Sequence, residues 1–391
     1  MKQFNKTKIA AAVGSAALAM TLGAPANAAI SLGGDNGWEV TYGGFINLFY
    51  TQSDWDDLGI DSAHLQEGLL PAFHTLTVKS PTVNGLTGTG QITFAPDSSN
   101  AKTTRQDKGG TAIDMREVFF NVEGSFGTIS AGRTLSLFQR QAILKDYTLF
   151  GVGAVGGPDG AGTTLGRIGF GYVYPAFRTR FVYQTPNING FQLSAGVFDP
   201  QHPIFGTTAE TDIPQLQAEA TYNTSFQGGT ISAWAGTIWQ ETELYGGYDD
   251  ITSWGINLGL DIWFGGFNIA GSWYTGEAIG MVFFNETSGS GFACGGGSCH
   301  EADNDGFYVQ GGYKFNGKTL VGASYGESNQ DSDTFNTSEE NEMWTVGVYH
   351  DVNSWLKLVA EYSNQESTGT NGLLSGLGEA DVFSVGGFIL W

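Results

Sequence analysis

The sequence predicts an all-β fold: a 16-stranded antiparallel transmembrane β-barrel. Three observations carry the prediction. Apolar residues alternate with small or polar ones over runs of about ten residues, the length a tilted strand needs to cross a bilayer. Connectors between these runs are alternately short and long. The composition also fits, with 59 Gly in 391 residues, 13% aromatic and only 14% charged residues, against roughly 25% charged in soluble domains.

The same figures exclude other classes. The chain is too aromatic and too weakly charged for intrinsic disorder. Its glycines show no three-residue period, which excludes collagen. Two cysteines cannot staple a small disulfide scaffold. A formal charge of −22 lacks the basic footprint that nucleic acid requires.

Residues 1–28 read as an export signal. Lys2, Lys6 and Lys8 precede an apolar stretch from Ile9 to Leu22, and Ala26-Asn27-Ala28 fits the small-residue cleavage rule. The stretch is too short for a membrane anchor, and no stop-transfer pattern follows. Cleavage after Ala28 removes those three lysines, taking the charge from −22 to −25, and leaves 29–391 as the barrel domain.

Strands follow from period two. Trp254, Ile256, Leu258, Leu260, Ile262 and Phe264 make one apolar face, opposite Gly255, Asn257, Gly259, Asp261 and Trp263. Similar alternation at 191–197, 307–315 and 356–363, with weaker cases between, predicts strands starting near 39, 73, 86, 113, 127, 177, 191, 212, 229, 251, 266, 305, 319, 342, 355 and 380. Short connectors include Pro81–Gly85, Gly124–Gly127, Gly265–Gly266 and Asn316–Lys318. Long ones cover 54–72, 96–112, 135–176, 199–211, 241–250, 278–304, 330–341 and 366–379. An even strand count with short turns at one end and long loops at the other belongs to bacterial outer-membrane barrels. A soluble sandwich seldom needs sixteen strands in one meander. The last strand places Phe383, Val385, Ile389 and Trp391 on one face and ends on the aromatic. This resembles the C-terminal signal that barrel-insertion machinery reads.

Several short motifs occur in a telling order: Leu86-Thr87-Gly88-Thr89-Gly90-Gln91, then Arg116 through Gly124-Ser125-Phe126-Gly127 to Ala131-Gly132-Arg133. A long loop follows, then Gly166-Arg167-Ile168-Gly169 and Phe177-Arg178-Thr179-Arg180. With the strand order and the aromatic end, the chain resembles the general porins of Gram-negative outer membranes over its mature length. The resemblance implies a homotrimer of barrels set in outer-membrane lipid and lipopolysaccharide, each narrowed by an inward-folded third loop.

Charge placement independently suggests a constriction. Eleven of the fourteen Lys and Arg after residue 28 lie between Lys79 and Arg180. None lies from Phe181 to Tyr313, a stretch with fourteen Asp and Glu. Closing the sheet puts these sets on different sectors of one lumen, with a transverse field between them. The expected basic wall is Lys79, Arg116, Arg133, Arg167, Arg178 and Arg180. Strand parity points Arg178 and Arg180 inward, whereas Lys79 and Arg133 rest on the resemblance. Thr75 stands where the family often has a further basic residue. In the third loop, Leu135 to Arg167, the charges are Arg140, Lys145, Asp146 and Asp159. The resemblance makes Asp146, then Asp159, the acids facing the basic wall.

Cys294 and Cys299, five apart across glycines in an external loop, read as a local disulfide. The rival reading, with His300 as a third metal ligand, does not complete a structural zinc site. Acidic runs at Asp54, Asp56, Asp57 and Asp61, and at Asp331, Asp333, Glu339, Glu340 and Glu342, lack EF-hand spacing. They read as solvated loops, with divalent-cation binding as the alternative.

The histidines His64, His74, His202, His300 and His350 sit in no catalytic motif, and no cofactor box is present. An enzyme is therefore not expected, nor a cofactor. The expected function is a water-filled channel in the outer membrane for passive diffusion of small hydrophilic solutes and ions. The alternatives are a channel of the same fold selective for carboxylates or aromatic compounds, and a barrel serving adhesion or assembly through its loops.

Overall fold

The computed structural model describes residues 29–96, 113–160, 162–201, 209–244, 250–284, 292–295, 298–332, 337–369 and 374–391. The export segment and the basic run at 102–108 lie outside them. The first strands are β1 (Ile30–Gly33), β2 (Glu39–Trp55), β3 (Ile60–Gln66), β4 (Phe73–Lys79), β5 (Thr87–Pro96), β6 (Ile113–Gly124) and β7 (Gly127–Leu135). Next come β8 (Phe177–Gln184), β9 (Phe191–Phe198), β10 (Ala209–Glu210), β11 (Gln215–Phe226), β12 (Gly229–Leu244), β13 (Ile251–Phe264) and β14 (Phe267–Glu277). The last are β15 (Phe292–Gly295), β16 (Ser298–Glu301), β17 (Asp303–Phe315), β18 (Thr319–Ser332), β19 (Thr337–Asp351), β20 (Leu356–Thr368) and β21 (Gly378–Leu390). One helix, α1 (Arg140–Lys145), and a 3-10 turn, Tyr147–Phe150, lie between β7 and β8.

Sixteen of these strands close into an antiparallel barrel. Starting at β2 the order runs β4 to β9, β11 to β14 and β17 to β21. β21 then pairs back onto β2, from Phe45 opposite Leu390 to Trp55 opposite Ala380. Observed starts lie within five residues of the predicted ones. The widest miss is β19, which begins at Thr337 rather than 342. The short turns follow from their residues. Asn84-Gly85, Asn189-Gly190 and Asn316-Gly317 each hold two successive positive φ values, which a two-residue hairpin turn of type I′ requires.

The first long loop departs from expectation. Chain from Ile60 to Gln66 returns as β3 along the upper part of β2, while β4 pairs with the lower part. Residues 67–72 between them leave the sheet and are buried. Asn47 on β2 holds this segment, donating to the Leu70 carbonyl at 2.8 Å and accepting from the Gly68 N–H at 2.9 Å.

The wall is uneven in height. β4, β8 and β9 have seven or eight residues, whereas β12, β13, β18 and β19 have fourteen to sixteen. On the tall side the outward rows are apolar up to an aromatic band that includes Trp239, Trp254, Trp273, Phe307, Tyr325, Trp344, Tyr362 and Phe383. Such rows and aromatic girdles match a bilayer and its interface. Beyond the band the same rows turn acidic. Glu327 faces Glu342, Glu342 faces Glu366, and Asp54 faces Asp381 and Asp61. Several acids expected in loops therefore extend strands, because the tall strands continue past the apolar band.

At the closing seam, the Trp391 carbonyl accepts from the Gly44 N–H at 2.8 Å, and the Trp391 N–H donates back to Gly44 at 3.0 Å. The Trp391 ring packs against Tyr42 and His74. At the other end, β15 and β16 form a hairpin with Cys294 opposite Cys299. Cys299 is disulfide-bonded, and Cys294 is the only other cysteine in the chain.

Candidate functional site: a constricted lumen

Inward-facing side chains are mostly amides, hydroxyls and charges, and residues 136–160 and 162–176 fold among them. This third loop enters and leaves at a neck where the Ser136 N–H donates to the Ala176 carbonyl at 3.0 Å. Its middle is fastened to the tall wall. Glu361 on β20 accepts from the backbone N–H of Val152 at 2.6 Å and Gly153 at 3.0 Å, and from the Tyr349 hydroxyl at 2.6 Å. Gln365 accepts from the Val155 N–H at 2.7 Å and donates to its carbonyl at 3.0 Å. Gln310 on β17 accepts from the Tyr147 N–H and donates to the Lys145 carbonyl. The approach is close enough that a Cβ on Gly151 would lie 1.9 Å from a Glu361 oxygen and would displace that carboxylate from the loop's N–H groups.

Two other segments join this filling. The Leu69 N–H donates to the Gly151 carbonyl at 2.9 Å. From the loop after β14, the Val282 carbonyl accepts from the Tyr174 N–H at 3.0 Å, and Phe283 meets the Tyr174 ring edge-on. Asn304 anchors that loop by accepting from the Ile279 and Gly280 N–H groups.

The expected site residues divide on this geometry. Arg180 is inward and buried on β8, and it donates to the Leu135 carbonyl at 2.6 Å. Arg178, two residues before it, donates to the Asp199 carbonyl at 2.6 Å and to Gln201 at 3.4 Å. Arg116 pairs with Asp114 at 2.8 Å, donates to the Tyr174 hydroxyl at 2.8 Å and stands over the Phe177 ring. A bulge explains its place. Thr93 faces Glu117 and Phe94 faces Met115, so Arg116 is the extra residue, and both Arg116 and Glu117 are buried. Lys79 pairs across β4 with Glu39 and Thr89 at the short-turn end. This is four residues from the buried layer of Thr75, Thr93 and Glu117. Arg133 falls in the register row of Val118 and Thr179, not that of Arg180.

Two expectations are corrected. Asp146 does not face a basic wall, because it is buried within the loop. It accepts from the backbone and hydroxyl of Thr148 and from the Tyr172 hydroxyl at 2.9 Å, capping the 3-10 turn. Burial, then Asp146, push the Tyr172 hydroxyl well above its ordinary pKa, so it stays a donor. Arg167 is likewise no wall residue. It is fully buried in the loop, 4.0 Å from Asp146, and donates to the Met343 carbonyl and the Ser324 hydroxyl. The pair locks the loop, since a buried charge is tolerable only with partners. Asp159 is exposed at the loop tip, beside a contact of His64 Nε2 with the Pro158 carbonyl at 2.8 Å.

Sequence reasoning missed the charges that do meet across the lumen. Arg140 on α1 forks onto Glu219 of β11. Lys145, at the other end of α1, lies 3.3 Å from Asp261 on β13. On β6, Glu117 accepts from Thr134 at 2.7 Å, Thr93 at 2.9 Å and Gln91 at 2.9 Å. The acids at β11 and β13 lie in the stretch expected to be acidic, but the loop side differs from expectation: helix α1 brings cations, not acids, to that wall. The inward parity of Glu219 and Asp261 along their strands was the available signal.

A family model described as a Gram-negative porin matches residues 14–370. No protein of curated function matches the chain. Among solved structures, the outer membrane channel DcaP of Acinetobacter baumannii is similar at TM-score 0.68 and 15% identity, covering 92% of this chain and 99% of that one. An anion-selective porin from Comamonas acidovorans is similar at TM-score 0.65 and 16% identity, covering 90% and 100%. The trimer form of OmpT, an outer membrane protein of Vibrio cholerae, reaches TM-score 0.55 at 17% identity, covering 91% and 100%.

Proposed function

The chain belongs to the Gram-negative porins, and from that premise we propose that it works as a homotrimer of weakly selective diffusion channels. It is an outer-membrane channel for small solutes. In our reading, residues 1–28 direct export and are removed, and the outward row ending in Trp391 is the insertion signal.

Solutes pass between the third loop and the inner faces of the low wall. The observation that supports this reading is the uneven fastening of the loop, which meets β4 and β5 least. Its hydrogen bonds run mainly to β14 and β17–β20, leaving the threonines and glutamine of β4 and β5 beside the passage. There the wall cations already have partners, Arg116 in Asp114 and Tyr174, and Arg180 in Leu135. They shape the field more than they bind a carboxylate solute, which favours diffusion over carboxylate capture.

The test is conductance of the refolded mature chain in a planar bilayer under a salt gradient. Closures in threes with a small reversal potential are expected. An inserted barrel without conductance would overturn the channel reading.

A further inference from the structure

We propose that Glu219 is a binding step for guanidinium-bearing solutes, occupied at rest by the chain's own Arg140. This deepens the channel reading and rests on it. Glu219 sits on the lumen wall, and both of its oxygens face Arg140, Nη2 on one and Nε at 3.3 Å on the other. Gln141 adds a further donor, its amide Nε2 lying 3.3 Å from each oxygen. A carboxylate met by the paired N–H groups of a guanidinium is a recognition geometry, more selective than a point-charge contact.

Only the Arg140 side chain needs to yield, because the helix is held independently of the pair: Gln217 accepts from the Leu137 and Phe138 N–H groups, and the Tyr308 hydroxyl donates to the Ala142 carbonyl at 3.0 Å. Arg140 opens a helix of only six residues. The residue before it, Gln139, has φ +64, a conformation costly for a non-glycine residue. The Gln139 side chain is fully buried with neither amide atom partnered. The far end of the helix is held by Lys145 on Asp261, a pair whose lysine remains partly exposed. The loop beyond Tyr147 is tied as well, by buried backbone contacts to Glu361 and Gln365. A solute guanidinium can therefore replace that of Arg140 on Glu219 without dislodging the rest of the loop. Such a solute transiently occupies the passage, and its flux saturates.

The test is block of single-channel current by L-argininamide, with tetramethylammonium as a cation that cannot make the paired hydrogen bonds. In the unaltered protein, argininamide should block saturably and tetramethylammonium should not. Arg140→Ala removes the resident competitor and should tighten the block about tenfold or more, as loss of one charge-assisted bond implies. Glu219→Gln should abolish the block, and Glu219→Asp, which keeps the charge and shortens the reach, should weaken it. Equal block in the unaltered protein and Arg140→Ala, or equal block by the two cations, would overturn the proposal while leaving the channel reading intact. Absence of any conductance in the unaltered protein would instead sink the channel reading.

Discussion

The tall wall, β12 to β21, and the low wall, β4 to β9, treat the third loop differently. The tall wall receives it: Glu361, Gln365, Gln310 and Arg167's partners on β18 and β19 tie backbone to side chain across the lumen. Apart from Arg116, which donates to the Tyr174 hydroxyl, the low wall keeps its polar groups largely for itself, through Thr75 to Thr93 at 3.0 Å and Thr134 to Glu117 at 2.7 Å. One side of the barrel is thus an anchorage and the other a lining. A narrowed pore of this kind needs both, because a loop fastened all round would close it.

The comparison breaks hardest at Glu361. Glu361→Leu strands two buried backbone N–H groups and a hydroxyl, at about 4 kcal/mol in all. The expected outcome is a lower melting temperature and a larger, noisier single-channel conductance; unchanged conductance would show that the loop is held elsewhere. Next comes Arg180→Gln. Removing a buried guanidinium costs about 3 kcal/mol and should move the reversal potential towards cations, measured under a salt gradient. Thr75→Val deletes one hydroxyl contact on the low wall, worth about 1 kcal/mol, and conductance should hardly change. On the outer face of the tall wall, Glu342→Gln relieves repulsion from Glu327 and Glu366 and should stabilise by about 0.5 kcal/mol. That gain should vanish in high salt, where exposed charges are screened. Reducing the disulfide of Cys299 should affect least: it closes a small loop at the hairpin tip, and barrel melting should not shift.

The walls were legible in the sequence because a strand repeats every two residues, and this repeat survives in Trp254–Phe264 and its neighbours. The loop anchors were not. Asp146 and Arg167 are twenty-one residues apart with no period between them, so nothing in the chain announced that they meet in a buried pair. The same holds for residues 67–72, whose inward fold depends on Asn47 in another strand. Counting charges by sector found the acidic stretch but not which acids face α1. That needed the rotation of each strand, which places Glu219 and Asp261 inside.

The seam between β2 and β21 has a consequence in time. Nearly every other pairing joins strands adjacent along the chain and can form as a local hairpin, but Phe45 meets Leu390 only after almost the whole sequence is in place. Loop-closure entropy grows slowly with length, so the free-energy penalty is modest. The search is slow, since non-local strand pairing is the late event in β-rich folding. Closure of this seam should therefore set the rate of barrel formation. The Trp391–Gly44 hydrogen bonds, with the Trp391 ring against Tyr42 and His74, act as the catch that keeps the ring from reopening.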